Sequence, residues 1–316
     1  RKYFFRYASE FGFQSFPSVK TLETVTDDPK ELNPFSYVME KHQRNYGGNG
    51  KIAKYMQAAY RYPENFSDFV YASQLLQADG IRYGVEHYRR NRGRCMGAIY
   101  WQLNDCWPVI SWSSIDYYGR WKALHYYAKR FFAPVMLSCE EQSWMTVEAD
   151  MNRQHFEFEK SIRLNVTNET LDAHRVLVKW AVRKTDATIL REEEQWLEVP
   201  ALSAVWMDKV ELPQIDCFNE YVSYEAWEND QIISQGTVIF SYPKYFHYLN
   251  PGLAVRVDGD EIVVKAEAYA KSVEIRNEND DLILEDNYFD MNAGEYRVKI
   301  LDGKPDGLKV RSVYDI

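Results

Sequence analysis

Glu10 is the side chain of this sequence with the clearest opportunity for chemistry. It follows a short apolar run, within the segment Tyr7 to Ser15. An ionised carboxylate is costly to desolvate unless it has a partner or a function. At the end of a strand, such a carboxylate can act in catalysis, cap a loop or pair with an arginine.

A second group of functional side chains follows the apolar run that ends at Tyr100. Trp101 offers a flat apolar ring for a ligand, although tryptophan is also common in protein cores. Asn104 and Asp105 can hydrogen-bond a ligand or orient Glu10. Because side chains alternate along a strand, they cannot all point to one side. We therefore treat Asn104 and Asp105 as supporting candidates for the substrate site.

Several other site classes find no support in the sequence. The six histidines are scattered, without an acidic or cysteine partner at metal-ligand spacing. The segment Gly47 to Gly50 lacks the lysine and the helix context of a phosphate-binding loop. A net charge of -9 argues against nucleic acid as a partner, because phosphate binding needs a basic stripe. We expect no metal site.

Two features bear on the cellular compartment, and they point in different directions. The four cysteines show no C-x-x-C spacing, which favours a reducing compartment and hence a cytoplasmic protein. Three glycosylation triplets, which begin at Asn65, Asn165 and Asn168, leave a secreted or lysosomal location open. No apolar run reaches the length of about 18 residues that spans a bilayer, so no membrane partner is expected.

Four elements must position Glu10 and Trp101. The apolar patterns predict strands at Phe4 to Ser9 and Met96 to Trp101, and helices at Asp68 to Arg90 and Tyr118 to Phe132. Strand and helix alternating in this way form the repeating unit of a parallel α/β architecture. We predict the last strands and helices of a (β/α)8 TIM barrel, in which both side chains follow strand ends and face one pocket.

Strands dominate the sequence after about Pro134, so a domain boundary is predicted there. Alternating apolar and polar segments up to Pro243 predict an immunoglobulin-like β-sandwich, and a further series predicts a second one. The fold class is therefore multidomain, α/β plus all-β. The predicted domains are residues 1–133 (the C-terminal part of the barrel), residues 134–243 (the immunoglobulin-like β-sandwich) and residues 244–316 (a C-terminal β-sandwich).

Long motifs of the sequence resemble the β-mannosidases of glycoside hydrolase family two. The segment Ser9 to Ser15 is similar to the nucleophile strand of that family, and Gly97 to Pro108 is similar to its final barrel strand. The match continues from Ser111 to Lys122. The segment Asp286 to Asp290, followed by Gly294 and Glu295, is similar to part of the family's C-terminal sandwich.

The resemblance implies that Glu10 is the nucleophile of a retaining glycosidase. Such an enzyme needs a second carboxylate, about 5 Å away, as general acid/base. In the family this carboxylate follows an Asn on an earlier barrel strand, so it is expected upstream of residue 1. The resemblance further implies that Trp101 lies beneath the sugar and that hydrolysis needs no cofactor.

We therefore expect the C-terminal portion of a retaining exo-β-mannosidase, which removes terminal β-D-mannose from oligosaccharides or glycoconjugates. Its partners would be a β-mannoside substrate and the N-terminal remainder of the parent protein. The isolated chain would be inactive, and the open barrel edge would favour self-association. Two alternatives stay open: a β-galactosidase or β-glucuronidase of the same family, and a non-catalytic carbohydrate-binding or structural β-sandwich module.

Overall fold

The structure, a computed structural model, describes residues 3–147 and 158–316. Contacts divide the chain into two units, each assembled from segments that are far apart in sequence. The first unit comprises the described residues of Arg1–Ala8, Gly84–Ala98 and Arg130–Leu249, and the second comprises Ser9–Tyr83, Ile99–Lys129 and Asn250–Ile316. Because this division follows contacts rather than sequence, the domain boundaries near residues 134 and 244 stay predictions.

The described residues before Pro134 combine short strands with helices. The strands are β1 (Ala8–Phe11) and β2 (Ala98–Tyr100); the helices are α1 (Val19–Leu22), α2 (Tyr37–Lys41), α3 (Gly48–Ala59), α4 (Phe66–Arg90) and α5 (Ala123–Phe131). β1 and β2 form a two-stranded sheet. The amide of Ala8 donates to the carbonyl of Gly97, and the amide of Trp101 donates to the carbonyl of Phe11. Since the paired residue numbers rise together, the two strands run parallel.

The N-terminal strand begins later than the sequence predicts. β1 starts at Ala8, so the prediction of strand from Phe4 to Tyr7 is wrong. The apolar residues there pack against aromatic rings of α4 instead: the ring centroids of Phe4 and His87 lie 4.9 Å apart, and those of Phe5 and Tyr88 lie 6.4 Å apart. α4 covers the predicted helix, whereas β2 and α5 are shorter than their predicted segments.

A β-sandwich within the first unit supports the prediction of an immunoglobulin-like fold. Its strands are β3 (Val135–Gln142), β4 (Ser161–Asn168), β5 (His174–Lys184), β6 (Ile189–Val199), β7 (Ser203–Trp206), β8 (Val210–Glu211), β9 (Glu220–Glu228) and β10 (Gln231–Ile239). One sheet has the order β10-β9-β5-β6; the other has the order β3-β4-β7, and β8 pairs with β4. Alternate side chains of both sheets, among them Leu164, Val178 and Val222, form the buried core.

The second unit contains the C-terminal strands. These are β11 (Ala254–Asp258), β12 (Glu261–Ala266), β13 (Ala270–Arg276), β14 (Ile283–Leu284), β15 (Phe289–Met291), β16 (Gly294–Asp302) and β17 (Lys309–Arg311). They form one sheet of order β11-β12-β16-β14 and another of order β15-β13-β17. Val264, Ile275 and Val298 are among the buried side chains of these strands, as expected for a second sandwich.

A buried arginine joins these strands to α4 within the second unit. Arg311 donates to the carboxylate of Glu274 on β13 and to Asp68 in the first turn of α4, the latter at 3.0 Å. Its guanidinium carbon lies 4.4 Å from the centroid of the Tyr71 ring. Burial lowers the pKa of Arg311, but the neighbouring Glu274 carboxylate outweighs this effect and raises that pKa above its ordinary value.

Two of the three glycosylation triplets begin at asparagines that are buried in the folded chain. Asn165 and Asn168 lie in β4 with fully buried side chains, and the amide of Asn168 donates to the carbonyl of Asp172 at 2.8 Å. Neither asparagine can therefore receive a glycan while the chain is folded, whereas Asn65 is exposed just before α4. Among the described residues, no helix combines the length and the apolarity that a membrane span requires.

Replacing Arg311 by Met should strongly destabilise the chain. Glu274, which is only 6% exposed, would lose its cationic partner, and removing one partner of a buried ion pair costs about 3–5 kcal/mol. Urea denaturation measures this difference in the free energy of unfolding. The control is Arg256→Met, because Arg256 pairs with Asp258 on the surface with its side chain 53% exposed and should cost less than about 1 kcal/mol. Equal losses in the two variants would contradict the assignment.

Candidate active site

The ends of β1 and β2 bring Glu10 and Trp101 onto neighbouring strands. The amide of Trp101 donates to the carbonyl of Phe11, the residue after Glu10, at 2.8 Å. The side chain of Glu10 is exposed, and Trp101 is 49% exposed. A carboxylate and an indole are therefore both exposed at the carboxyl ends of two neighbouring parallel strands.

Gly12 permits the close approach of these two strand ends. A Cβ atom at this position would lie 2.5 Å from the carbonyl oxygen of Trp101 and 2.9 Å from Cδ1 of Trp112. Both distances are shorter than a van der Waals contact, and a backbone oxygen cannot rotate away as a flexible side chain can. A glycine is therefore required between Glu10 and the loop that carries Trp112.

Asp105 is buried below the strand ends, and it binds the following loop. Its two carboxylate oxygens accept hydrogen bonds from the hydroxyls of Ser111 and Ser113, each at 2.6 Å, and Nε2 of Gln102 donates to it at 3.2 Å. Hydrogen bonds to an ionised acceptor are about twice as strong as neutral ones. Asp105 thus acts on the site by fixing this loop. Asn104 is exposed beside it, with its amide donating to the carbonyl of Asp105 at 3.2 Å.

Lys122, just before α5, was not singled out from the sequence, although it lies at the base of the site. Its ammonium group is fully buried and donates to the carbonyl oxygens of Ser15 and Ser111, at 3.3 Å and 3.5 Å. Burial lowers the pKa of Lys122 to about 8, while the carboxylates of Asp105 and Asp116 act in the opposite direction. The sequence pattern placed this lysine inside the predicted helix from Tyr118 to Phe132 and did not mark it as buried.

Helix α4 holds the segment from Phe13 to Ser15 through Gln77. The sequence analysis did not single out this residue. The hydroxyl of Ser15 donates to Oε1 of Gln77 at 2.7 Å, and Nε2 of Gln77 donates to the carbonyl of Phe13 at 2.8 Å. Gln77 is fully buried, so its polar groups must find such partners. The backbone that follows Glu10 is therefore hydrogen-bonded both to α4, through Gln77, and to the loop that contains Ser111.

The long connection between β1 and α4 reaches the site through residues near His42. Nε2 of Gln14 donates to Oε1 of Gln43 at 2.6 Å. Nδ1 of His42 lies 2.6 Å from the carbonyl oxygen of Pro108, and its ring stacks on Trp107 with centroids 5.0 Å apart. These contacts place the connection beside the residues that follow β1 and β2.

Metal chemistry finds no obvious ligand set in residues 3–147 and 158–316. Within these ranges, no group of three or more histidine, cysteine, aspartate or glutamate side chains is arranged to hold a metal ion. Cys95 and Cys139 are buried and Cys106 is exposed, and no disulfide joins the four cysteines of the chain. The groups available at the two strand ends are an exposed carboxylate and an exposed indole.

Family models match the two sandwich regions. Residues 160–245 match a mannosidase Ig/CBM-like domain, and residues 248–316 match an Ig-fold domain. The chain is 30% identical to a β-mannosidase B of Thermothelomyces thermophilus, over 98% of this chain and 39% of the relative. It is 39% identical to a β-mannosidase of Capra hircus, over 42% of this chain and 16% of the relative. The chain thus spans about two fifths, at most, of these relatives.

Solved structures show the same architecture. A β-D-mannosidase from Dictyoglomus thermophilum matches with a TM-score of 0.82 and 25% identity, over 97% of this chain and 37% of that chain. The exo-chitosanase CsxA of Amycolatopsis orientalis matches with a TM-score of 0.67 and 16% identity, over 99% of this chain and 43% of that chain. The similarity to the exo-chitosanase shows a shared fold alone.

Replacing Lys122 by Met should remove a pH dependence of stability. Below pH 8 the amine is charged in the folded and unfolded chain alike, so the desolvation penalty is fully present. Between pH 8 and about 10.5 the unfolded chain binds more protons, so the lysine form gains stability as pH rises, at up to about 1.4 kcal/mol per pH unit.

Urea denaturation at several pH values measures this effect as the difference in unfolding free energy between the unaltered protein and the Lys122→Met variant. The difference should rise by roughly 3 kcal/mol across this window. Lys20→Met serves as the reference for replacing a lysine whose side chain is exposed, at 40%. A Lys122→Met difference that stays constant from pH 7 to pH 10.5 would show that the amine does not titrate in this range.

Proposed function

Since the chain is a relative of the β-mannosidases of glycoside hydrolase family two over nearly its whole length, we propose that it is the C-terminal portion of a retaining exo-β-mannosidase. The observation that carries this proposal is the placement of Glu10 beside Trp101 at two parallel strand ends. Terminal β-D-mannose of oligosaccharides or glycoconjugates is the proposed substrate.

In this proposal Glu10 attacks the anomeric carbon of the mannoside. The carbon–oxygen bond to the leaving group breaks as a second carboxylic acid protonates that oxygen, and a covalent glycosyl–enzyme intermediate forms. The second residue then removes a proton from water, which attacks the anomeric carbon and releases mannose and Glu10. Another part of the full-length protein supplies the general acid/base.

Trp101, Asn104 and Asp105 have different roles in binding the sugar in this proposal. The half-exposed indole of Trp101 offers a face for the C–H side of the pyranose ring. Asn104 is exposed and can hydrogen-bond a hydroxyl group. Asp105 is buried with both oxygens accepting serine hydroxyls, so it contributes by fixing the loop around the substrate.

The parallel pair β1 and β2, together with α4 and α5, forms the last part of a (β/α)8 barrel in this proposal. Active-site groups of such barrels lie at the carboxyl ends of the strands, which is where Glu10 and Trp101 lie. Two strands cannot enclose a substrate, so exclusion of water needs the rest of the barrel. The open strand edges would also allow copies of the isolated chain to associate.

Replacing Glu10 by Gln in the full-length protein should abolish turnover of a chromogenic β-mannoside. Loss of a nucleophile lowers kcat by about four orders of magnitude or more, since the amide cannot form the intermediate. The matched control is Glu23→Gln, an exposed glutamate that pairs with Lys20 at 3.0 Å, and its kcat should equal that of the unaltered protein. Unchanged kcat in Glu10→Gln would refute the nucleophile assignment, and higher kcat/KM on a β-galactoside or β-glucuronide would refute the substrate.

The isolated chain should show no hydrolysis of the same substrate. It carries the nucleophile, but the proposed mechanism takes its general acid/base from elsewhere, and acid catalysis contributes about 10²–10⁴-fold on its own. The measurement is release of the chromogen by the purified chain at high protein concentration, with the full-length protein as the positive control. A robust turnover number that Glu10→Gln removes would show that this chain contains both catalytic groups.

A further inference from the structure

The outer face of the sheet β10-β9-β5-β6 carries two tryptophans in one row. The strand register places Trp196 of β6 and Trp227 of β9 on either side of Leu177 of β5. The neighbouring residues Val176 and Val178 belong to the buried core, so the row lies on the opposite, outer face of the sheet. We call these three residues the tryptophan row.

The tryptophan row has the spacing of a platform for an extended ligand, with Trp196 exposed and Trp227 partly buried. Adjacent strands lie about 4.8 Å apart, so the backbones at Trp196 and Trp227 are separated by about 10 Å, which is about the length of a disaccharide. Trp196 is 54% exposed, even though the guanidinium carbon of Arg175 lies 4.6 Å from its ring centroid. About half of the surface of Trp196 is therefore open to solvent, while Arg175 covers one face of its ring.

Polar contacts fix the second indole. Nε1 of Trp227 donates to Oε2 of Glu225 at 2.8 Å, and Nζ of Lys179 lies 5.3 Å from its ring centroid. Lys179 also pairs with Glu194 at 3.6 Å. Because its N–H group already has an acceptor, Trp227 can offer its apolar surface without leaving a polar atom unsatisfied.

A hollow of about 480 Å³ borders the row on the same face. Its floor contains the small residues Ala181 and Ser223, which the register places side by side on β5 and β9. Glu192 and Glu194 of β6 line one side, and Lys179 stands between the hollow and the tryptophans. The volume falls within the range of small-molecule sites.

We propose that the tryptophan row and this hollow form a second, non-catalytic carbohydrate site, which binds a β-linked mannan chain. A pyranose has an apolar C–H face and a rim of hydroxyl groups, so it can stack on an indole while its rim hydrogen-bonds polar side chains. The carboxylates of Glu194 and Glu225 accept hydrogen bonds from hydroxyls, and the ammonium of Lys179 donates.

The charged residues that line the hollow limit the kinds of ligand that can bind there. Carboxylates outnumber cations around the hollow, which is lined by Glu192, Glu193, Glu194 and Glu225 and by Lys179 and Arg183. The lining therefore has no excess of positive charge, which nucleic acids, acidic polysaccharides or anionic lipid surfaces would need for binding. A neutral, hydroxyl-rich chain satisfies both the charge and the aromatic spacing. The choice of mannose as its sugar rests on the proposed function, whereas the site itself uses none of the residues at the strand ends of β1 and β2.

Affinity electrophoresis of the full-length Glu10→Gln protein in gels that contain soluble galactomannan tests this proposal. The substitution prevents hydrolysis of the polysaccharide during the run. We expect retardation relative to a gel without polysaccharide, and an affinity about tenfold weaker after Trp196→Ala or Trp227→Ala, because each change removes one stacking surface. Trp196→Phe keeps an aromatic face and should give an intermediate affinity.

Trp206→Ala is the matched control. Trp206 lies on β7 in the other sheet of the same sandwich, with the guanidinium carbon of Arg163 4.7 Å from its ring centroid, so the change removes an equivalent cation-capped indole. Its retardation should match that of the Glu10→Gln protein. Equal losses in Trp206→Ala and Trp196→Ala, absence of retardation before any tryptophan is changed, or full retardation after both row substitutions would each overturn the proposal.

Two further comparisons separate this proposal from the proposed catalytic function. Equal retardation in hydroxyethylcellulose gels would overturn mannan as the ligand. In the protein with Glu10 intact, Trp196→Ala should leave kcat on a small chromogenic β-mannoside unchanged, because that substrate is too short to reach the row; a large loss of kcat would overturn a separate site. Conversely, failure of the Glu10 test would leave the binding result in the galactomannan gel standing.

Discussion

The buried carboxylate of Asp105 is the constraint on which the candidate active site depends. Its bonds to Ser111 and Ser113 fix the loop after β2. The amide of Ser15 in turn donates to the carbonyl of Ser111 at 2.9 Å. The ammonium group of Lys122 donates to the carbonyl oxygens of Ser15 and Ser111. The chain after Glu10 is thus held by one buried charge and its partners, and a buried charge keeps its position only while those partners are present.

The sequence predicted the fold correctly where apolar and polar residues alternate regularly, because that alternation indicates which side chains are buried. Val176 and Val178 alternate with outward-facing Leu177 and Lys179, and that alternation predicted the strands of the first sandwich correctly. The nearness of Glu10 and Trp101 followed from the rule that parallel strands end on one side. Phe4 misled the strand prediction because its apolar side chain serves a contact with α4, and an apolar residue does not reveal which neighbour it will cover.

The supports of the site were not predictable in the same way. Ser111, Ser113 and Gln77 are ordinary polar residues in the sequence, and each acquires its function from hydrogen bonds to residues brought near by the fold. Lys122 has no helical or strand period to mark it as buried. Exposed groups such as Trp101 can be proposed as ligand contacts from their chemistry. Buried polar groups that hold the backbone are recognisable only once tertiary contacts are known.

The assembly of each unit from segments distant in sequence has a consequence for biosynthesis. The unit that contains Glu10 also includes Asn250–Ile316, and the other unit includes Arg130–Leu249 as well as Gly84–Ala98. Contacts of such high sequence separation form slowly, because loop closure must precede them. During translation the segment of α4 around Tyr71 must therefore wait for β17 to leave the ribosome, because its partner Arg311 lies on that strand. In that interval its aromatic side chains are exposed, and chaperones that shield apolar segments would find their binding sites there.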